Sequence, residues 1–310
     1  MFKYLKEYRL EDMRQMRENN RAKPHRSDVD MTGKRCVVTG CTSGVGWETV
    51  KALASHGASL VMINRSREKS DRVRDSLRKV YDTECSYLLA DFADLSQVRA
   101  AANVLAGSVD RIDLLVNNVG MHSTKLTRTP DGLETVFCVN HLASFTLTWM
   151  LLDTMKGSAP ARIIQVNSQG HRFGGLDPDD LSWRRRHYSG LRGYGAAKTA
   201  QLLTVWEFAD FLRGSGVTIN AMHPGAVKSH IGDNNGSLYR WYKDRIVSRT
   251  LRDPAIAGQA IHYLATAPEL EGVSGRYFNL THPEKPAPHA LDRDVGRRIW
   301  EESLRLAELS

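Results

Sequence analysis

Cysteine is scarce, with 4 residues among 310. Cys36, Cys41, Cys85 and Cys138 form no CxxC pair and meet no histidine cluster at metal-ligand spacing. That excludes a zinc-ribbon type of site and, in a chain this long, a disulfide framework. No metal is expected. Long apolar runs are missing too: none approaches the ~18 residues that cross a bilayer. The most apolar stretch, 142–155, is broken by Ser144, Thr146, Thr148 and Asp153 and reads as a buried helix. Residues 1–20 carry both charge signs and no apolar signal core, so a cytoplasmic location is the default expectation. Repeats and low-complexity segments are absent. The net charge of +8 is scattered, its densest run being Arg184-Arg185-Arg186-His187, with no aromatic-interleaved basic motif. Nucleic acid is therefore not expected as a partner. The positive balance suits a phosphate-bearing cofactor or a weakly anionic membrane surface equally well.

What is present is enough apolar material, 41% of residues, for a sizeable core. Residues 1–30 stand apart from it. Phe2, Leu5, Tyr8, Leu10, Met13 and Met16 recur at roughly helical spacing, and Asn19-Asn20 and Pro24 end the pattern. A surface helix packed on the body, a membrane-surface or partner-binding helix and a frayed tail all fit. A peripheral membrane contact through residues 1–20 belongs to the second of these. From Lys34 onward, short β-branched runs at 35–39, 59–63, 85–90, 114–116, 161–167, 218–222 and 275–279 alternate with helical patterns such as 46–56 and 68–81. Strands apolar on both faces and separated by helices specify a parallel sheet covered on both sides. Right-handed crossovers make it doubly wound. The expectation is an α/β chain: a single doubly wound, Rossmann-type domain over 31–310 with an N-terminal helical extension over 1–30.

The first strand runs into Thr39-Gly40-Cys41-Thr42-Ser43-Gly44-Val45-Gly46 and a helix follows at once. Glycines there allow a sharp turn and close approach of a pyrophosphate, and the helix start offers free N–H groups. At the end of the second strand, a carboxylate would hold the 2′-hydroxyl of NAD. The sequence instead gives Asn64-Arg65-Ser66-Arg67. Arg65 is suited to a 2′-phosphate through paired charge-assisted hydrogen bonds, with Ser43 or Asn64 adding neutral donors. The alternative is a solvated loop charge. The cofactor expected is NADP(H). Asp91, after the third strand, either accepts from an adenine amino group or caps the next helix, a job Asp94 or Ser96 would also do. Asn117-Asn118-Val119-Gly120 forms a second close-approach turn at the edge where such sheets bind ligands.

Tyr194 and Lys198 lie four apart in a long helical pattern, hence on one face. A tyrosine of ordinary pKa about 10 shares its proton poorly near neutrality. A neighbouring ammonium lowers that pKa and poises the phenol as an acid or base. Ser168, at the end of a strand, and Asn140, in a helix-forming segment, keep it company. Tyr188 is a rival, but position 192 is Arg rather than Lys; it reads as a loop aromatic near the pocket. His223 reads as structural, and His141 as a helix residue pointing elsewhere.

In this order, TGCTSGVG, NNVG, Asn140, Ser168 and Tyr194-x-x-x-Lys198 resemble the short-chain dehydrogenase/reductase family over roughly 33–280. The stretches DGLETVFCVNHLASF, YGAAKTAQLL, HPGAVKS and GVSGRYFN look closest to its retinol-dehydrogenase-like branch. The resemblance implies Tyr194 as acid or base and Lys198 as the group that lowers its pKa and binds the nicotinamide ribose. It implies Ser168 on the substrate oxygen, and Asn140 holding a water that links Lys198 to solvent. Pro224, Gly225, Ala226 and Val227 would face the nicotinamide carboxamide, and Ser229 would touch a phosphate. Val119 and Asn167 depart from the common alanine and serine without touching the proton chemistry. A homo-oligomer, dimer or tetramer, is also implied, with the helices of the Asn and the Tyr at the interface; the apolar run 142–152 fits that, and fits plain core.

The segment 229–254 carries Leu238, Tyr239, Trp241, Tyr242 and Ile246 beside Asn-Asn-Gly. It reads either as a cover over a lipophilic or aromatic carbonyl or alcohol substrate, or as ordinary packing. Two functions are carried forward. One is an NADP(H)-dependent reductase or dehydrogenase, favoured because Asn140, Ser168, Tyr194 and Lys198 are all present. The other is an NADP(H)-binding redox sensor or interaction protein with little turnover.

Overall fold

The computed structural model describes Tyr4, Glu7 and residues 9–226 and 253–309. Eight strands form one sheet in the order β3-β2-β1-β4-β5-β6-β7-β8. They are β1 (Arg35–Thr39), β2 (Ser59–Asn64), β3 (Cys85–Leu89), β4 (Leu114–Asn117), β5 (Ala161–Val166), β6 (Val217–His223), β7 (Tyr277–Asn279) and β8 (His282–Pro283). All pairings are parallel except β7 with β8. The order reverses between β1 and β4, so their C-terminal ends open the crevice where ligands bind in this architecture.

Successive strand residues feed opposite layers. Val37 and Leu115 pack into one core, while Cys36, Val38, Leu114 and Val116 pack into the other. Helices α2 (Gly44–Ser55), α3 (Arg67–Tyr81) and a helix we label α8 (Ala255–Thr266) cover the second face. The first face is covered by α4 (Leu95–Ser108), α6 (Ala143–Gly157), α7 (Gly190–Phe211) and α9 (Arg293–Leu306). A one-turn helix α5 (Thr135–Phe137) and a π-helical turn (Cys138–Leu142) lead directly into α6. The continuous segment Thr135–Gly157 is apolar enough to span a bilayer, yet 83% of its most apolar window is buried inside the protein. It is core, as its interrupting polar residues indicated. All four cysteines are buried and free.

Several boundaries shift. Helix α2 starts at Gly44, two residues before the expected start, and β7 is only Tyr277–Asn279. Strand β8 was not foreseen; two residues ending in proline carry no periodic signal. The extension forms α1 (Leu10–Arg21), none of whose residues is buried. It rests on the body through polar contacts: Asp12 to Lys285 at 2.9 Å, Asn19 to the Pro283 carbonyl at 3.1 Å, and Asn279 donating to Asn20 at 2.8 Å. Phe2, Leu5 and Tyr8 lie outside the described residues, as do Leu238, Tyr239, Trp241, Tyr242 and Ile246.

The two helices expected at a subunit interface are covered from within the chain. Trp300 of α9 packs on Phe145, Phe208, Trp149 and Phe211, with ring centroids 5.2, 4.6, 5.6 and 6.0 Å away.

Candidate active site

The Gly-rich turn is held by its neighbours. Gly40 sits at φ +70, a conformation that L side chains rarely adopt. A Cβ on Gly46 would fall 2.1 Å from the Gly40 carbonyl oxygen, so only glycine lets α2 close on the turn. The Asn118 amide donates to the carbonyls of Thr39 and Gly40, both at 3.0 Å. The Thr39 hydroxyl receives the backbone N–H groups of Asn118 and Val119 at 2.9 and 3.1 Å. Thr39 thus registers the Asn118-Val119-Gly120 turn against the Gly-rich turn, a link that the motif reading did not assign.

The cradle fits a dinucleotide phosphate. Ser66, Asp94, Ser189 and Asp292 each cap a helix with their side chains, whereas Ser43 leaves the first amides of α2 uncapped. Thr42, Ser43, Gly44 and Val45 surround that helix start. Asn64, at the end of β2, accepts from the Cys41 N–H at 2.7 Å and keeps its buried Nδ2 without a protein partner among the described residues. Arg65 is 73% exposed and lies 3.9 Å from Asp91. So loose an exposed pair is worth little, and the guanidinium is available to a phosphate. Asp94, not Asp91, caps α4, while Asp91 accepts from Ala93 N and faces Arg65. Pro224 and Gly225 follow β6 at the same sheet edge, with Gly225 at φ +82. Val227 and Ser229 lie outside the described residues.

Ser168, Tyr194, Lys198 and Asn140 converge at the ends of β4 and β5. The Ser168 hydroxyl accepts from Gly170 N at 3.0 Å and stands beside the Tyr194 phenol, which it draws toward lower pKa. A Cβ on Gly170 would strike the Tyr194 ring at 2.4 Å, so that glycine admits the ring. His171 accepts from Ala287 N at Nε2, which leaves Nδ1–H to donate to the Ser168 carbonyl at 2.7 Å. Burial keeps this histidine neutral. His122 meets the Tyr194 ring edge-on at 5.7 Å.

Two sets of contacts add to the motif reading. The Tyr194 phenol is pushed up by burial and drawn down only by Ser168, not by Lys198. The reason is geometric: Lys198 Nζ donates to the Val166 carbonyl at 2.8 Å and to Gln201 Oε1 at 3.2 Å. Sharing a helix face placed the two groups near one another, but the strand carbonyl and Gln201 take the ammonium. Burial also pulls Lys198 down to about 7. Second, the Asn140 side chain is already committed, accepting from Met121 N at 2.7 Å and donating to Met121 O at 2.9 Å. Its backbone carbonyl accepts from Gln201 Nε2 at 3.0 Å.

Sequence reading missed Gln201, although its position three residues beyond Lys198 put it on the same helix face. Tyr188 reaches Ser123 O at 3.3 Å and Glu134 at 3.4 Å beside the pocket. His223 is half-buried and pulled down to about 4 by desolvation, and His141 bonds Ser303 at 2.8 Å. A cavity of about 780 Å³ opens at the opposite sheet edge, among Lys34, Asp113, Arg162 and Thr218. None of the four converging residues lines it, so it is not the place for this chemistry.

A family model described as short chain dehydrogenase matches residues 34–238. The chain is 36% identical to human retinol dehydrogenase 13 over 288 residues, covering 91% of this chain and 87% of that protein. It is 36% identical to bovine dehydrogenase/reductase SDR family member 13 over 298 residues, covering 93% and 77%. Among solved structures, a protein of uncharacterised function from Mycobacterium paratuberculosis superposes with TM-score 0.72 at 26% identity, covering 90% of this chain and 95% of that one. The NADP active-site complex of RhlG from Pseudomonas aeruginosa shares the fold, with TM-score 0.64 at 20% identity and coverage of 86% and 99%.

Proposed function

The chain belongs to the short-chain dehydrogenase/reductase family, in its retinol-dehydrogenase-like branch, as a hydride-transferring oxidoreductase; on that premise we propose that it uses NADP(H) and acts on a lipophilic carbonyl or alcohol, with Tyr194 as the acid or base. The observation that carries this reading is the convergence of Ser168, Tyr194, Lys198 and Asn140 at the sheet edge that also holds the uncapped start of α2. The dinucleotide, when bound, supplies or takes the hydride. Thr42, Ser43, Gly44 and Val45 hold its pyrophosphate against the α2 amides, and Asn118, Val119 and Gly120 line its path. Arg65 takes the 2′-phosphate, with Asn64 Nδ2 as a neutral donor.

Ser168 orients the substrate oxygen beside the phenol. In reduction, Tyr194 donates its proton to the developing alkoxide; in oxidation, it accepts the proton of the alcohol. Lys198 would hold the nicotinamide ribose, and its charge would favour phenolate. The Asn140 carbonyl lies on the route by which that proton is exchanged with solvent. The exposed Leu10 and Met13 of α1, beside Arg9, Arg14 and Arg17, suit peripheral contact with an anionic membrane by an otherwise cytoplasmic enzyme.

The deciding experiment follows NADPH oxidation against aliphatic, aromatic and retinoid-like aldehydes and ketones, with NADH in parallel and Tyr194→Phe as control. Turnover with NADPH that vanishes in the variant supports the reading. Cofactor binding without turnover across the panel would favour a redox sensor instead.

A further inference from the structure

One side chain touches Lys198 and Asn140 directly and reaches Ser168 through Asn167. Gln201 is 1% exposed. Its Oε1 accepts from Lys198 Nζ at 3.2 Å and from Asn167 Nδ2 at 2.8 Å. Its Nε2 donates to the Asn140 carbonyl at 3.0 Å and to Gln165 Oε1 at 3.2 Å. Asn167 in turn receives the Ser168 N–H at 2.8 Å and donates to the Lys198 carbonyl at 2.9 Å. The amide therefore bridges three elements: α7, the end of β5 and the π-helical turn that carries Asn140.

We propose that Gln201 is a positioning residue, holding the Lys198 ammonium, the Asn140 carbonyl and, through Asn167, the Ser168 backbone in one hydrogen-bonded unit. An amide suits this place because it offers an acceptor to the ammonium and donors to two carbonyl-type oxygens at once. A carboxylate keeps the first contact and turns the other two into acceptor against acceptor. An alkyl side chain fills the space and leaves Lys198 with one fewer acceptor in a buried site, which disfavours the charged amine.

The groups that could confuse a titration are few and identifiable. Tyr194 shares α7 with Lys198, and His141 faces it from the π-helical turn. His171, on the turn after β5, and His122, beside Tyr194, complete the set. Burial holds all three histidines below their ordinary value, so their loss of charge is displaced to lower pH, away from the Lys198 limb.

The test rests on Lys198 binding the nicotinamide ribose and reads binding rather than turnover, so it stands apart from the question of catalysis. NADPH affinity, with NADH in parallel, is measured by fluorescence quenching across about pH 6 to 9. The full-length wild type is compared with Gln201→Leu, Gln201→Glu and Lys198→Met. The expected wild-type affinity falls as pH rises through the Lys198 titration, and Lys198→Met abolishes that fall. Gln201→Leu moves it to lower pH and Gln201→Glu to higher pH, each by about one unit. Opposite displacement by two substitutions of similar size is a result that a packing role does not produce. Superimposed profiles for wild type and both variants would overturn the proposal, and so would a wild type whose affinity shows no Lys198-dependent limb. If Gln201→Leu fails to fold, the upward shift in Gln201→Glu decides.

Discussion

Arg172 donates to Glu284 at 3.1 Å, and the Glu284 side chain is completely buried. The same carboxylate accepts from Gln169, from Asn279 at 2.9 Å and from Asn19 of α1 at 3.4 Å. Gln169 and Arg172 lie on the turn that begins at Ser168. Glu284 therefore fastens the Ser168 turn to β7 and to the N-terminal extension. Breaking a buried pair by removing one partner costs about 3–5 kcal/mol. Glu284→Ala is expected to lower the melting temperature sharply and to reduce kcat. An Asn19→Ala variant, which loses the 3.4 Å contact to Glu284 and the 3.1 Å one to the Pro283 carbonyl, should change either by less. Equal effects of the two substitutions on thermal melts would show that Glu284 acts mainly through α1.

In the proposed function Arg65 takes the 2′-phosphate that distinguishes NADP(H) from NAD(H). A hydrogen bond to a charged group is worth about 1.5–3 kcal/mol, or roughly ten- to hundredfold in affinity. Arg65→Ser should raise KM for NADPH by about that factor while leaving KM for NADH nearly unchanged. Parallel steady-state kinetics with both cofactors check this. An equal rise for both would move the 2′-phosphate contact elsewhere.

Burial depresses six histidines, His122, His141, His171, His223, His262 and His289. In the unfolded chain each titrates near about 6.5. Below that pH the unfolded state takes up protons that the folded state refuses, so stability falls as pH falls. The loss for His141 continues down to about 3, and for His223 to about 4. Denaturant melts from about pH 7 to 4 are expected to show steep loss, less steep in His141→Gln. A flat profile over that window would contradict neutral burial.

Lys198 acts with the same slope in a higher pH window. Its folded value of about 7 lies below its ordinary value. Between the two, the unfolded chain holds the proton that the folded one has lost. The cofactor-free protein should therefore gain stability as pH rises from about 7 toward 9, and Lys198→Met should remove that gain. Melting temperatures of the two proteins across that range provide the comparison.

Helix α9 lies where the family resemblance places a partner subunit. Light scattering is expected to give a particle near the chain mass of 34.8 kDa. Trp300→Ala should expose the Phe145–Phe208 face at a cost of about 3–5 kcal/mol and promote self-association. A stable wild-type dimer that dissociates on Phe211→Asp would restore the face as an interface, since Phe211 is its exposed edge.

Local signals in the sequence determined the alternation of strand and helix, the doubly wound sheet, the glycine turn and the residues of the candidate site. Each is written within a few neighbouring positions: two-sided apolar runs, glycines at a strand-to-helix turn, and a Tyr and Lys four apart. The tertiary structure alone decided what those groups touch. That Lys198 turns to Val166 and Gln201, that Asn140 spends its side chain on Met121, and that Glu284 joins the Ser168 turn to α1 depend on chain segments tens to hundreds of residues apart. Burial likewise reversed the expected direction for Tyr194, because desolvation belongs to the packed interior and not to the spacing of residues along a helix.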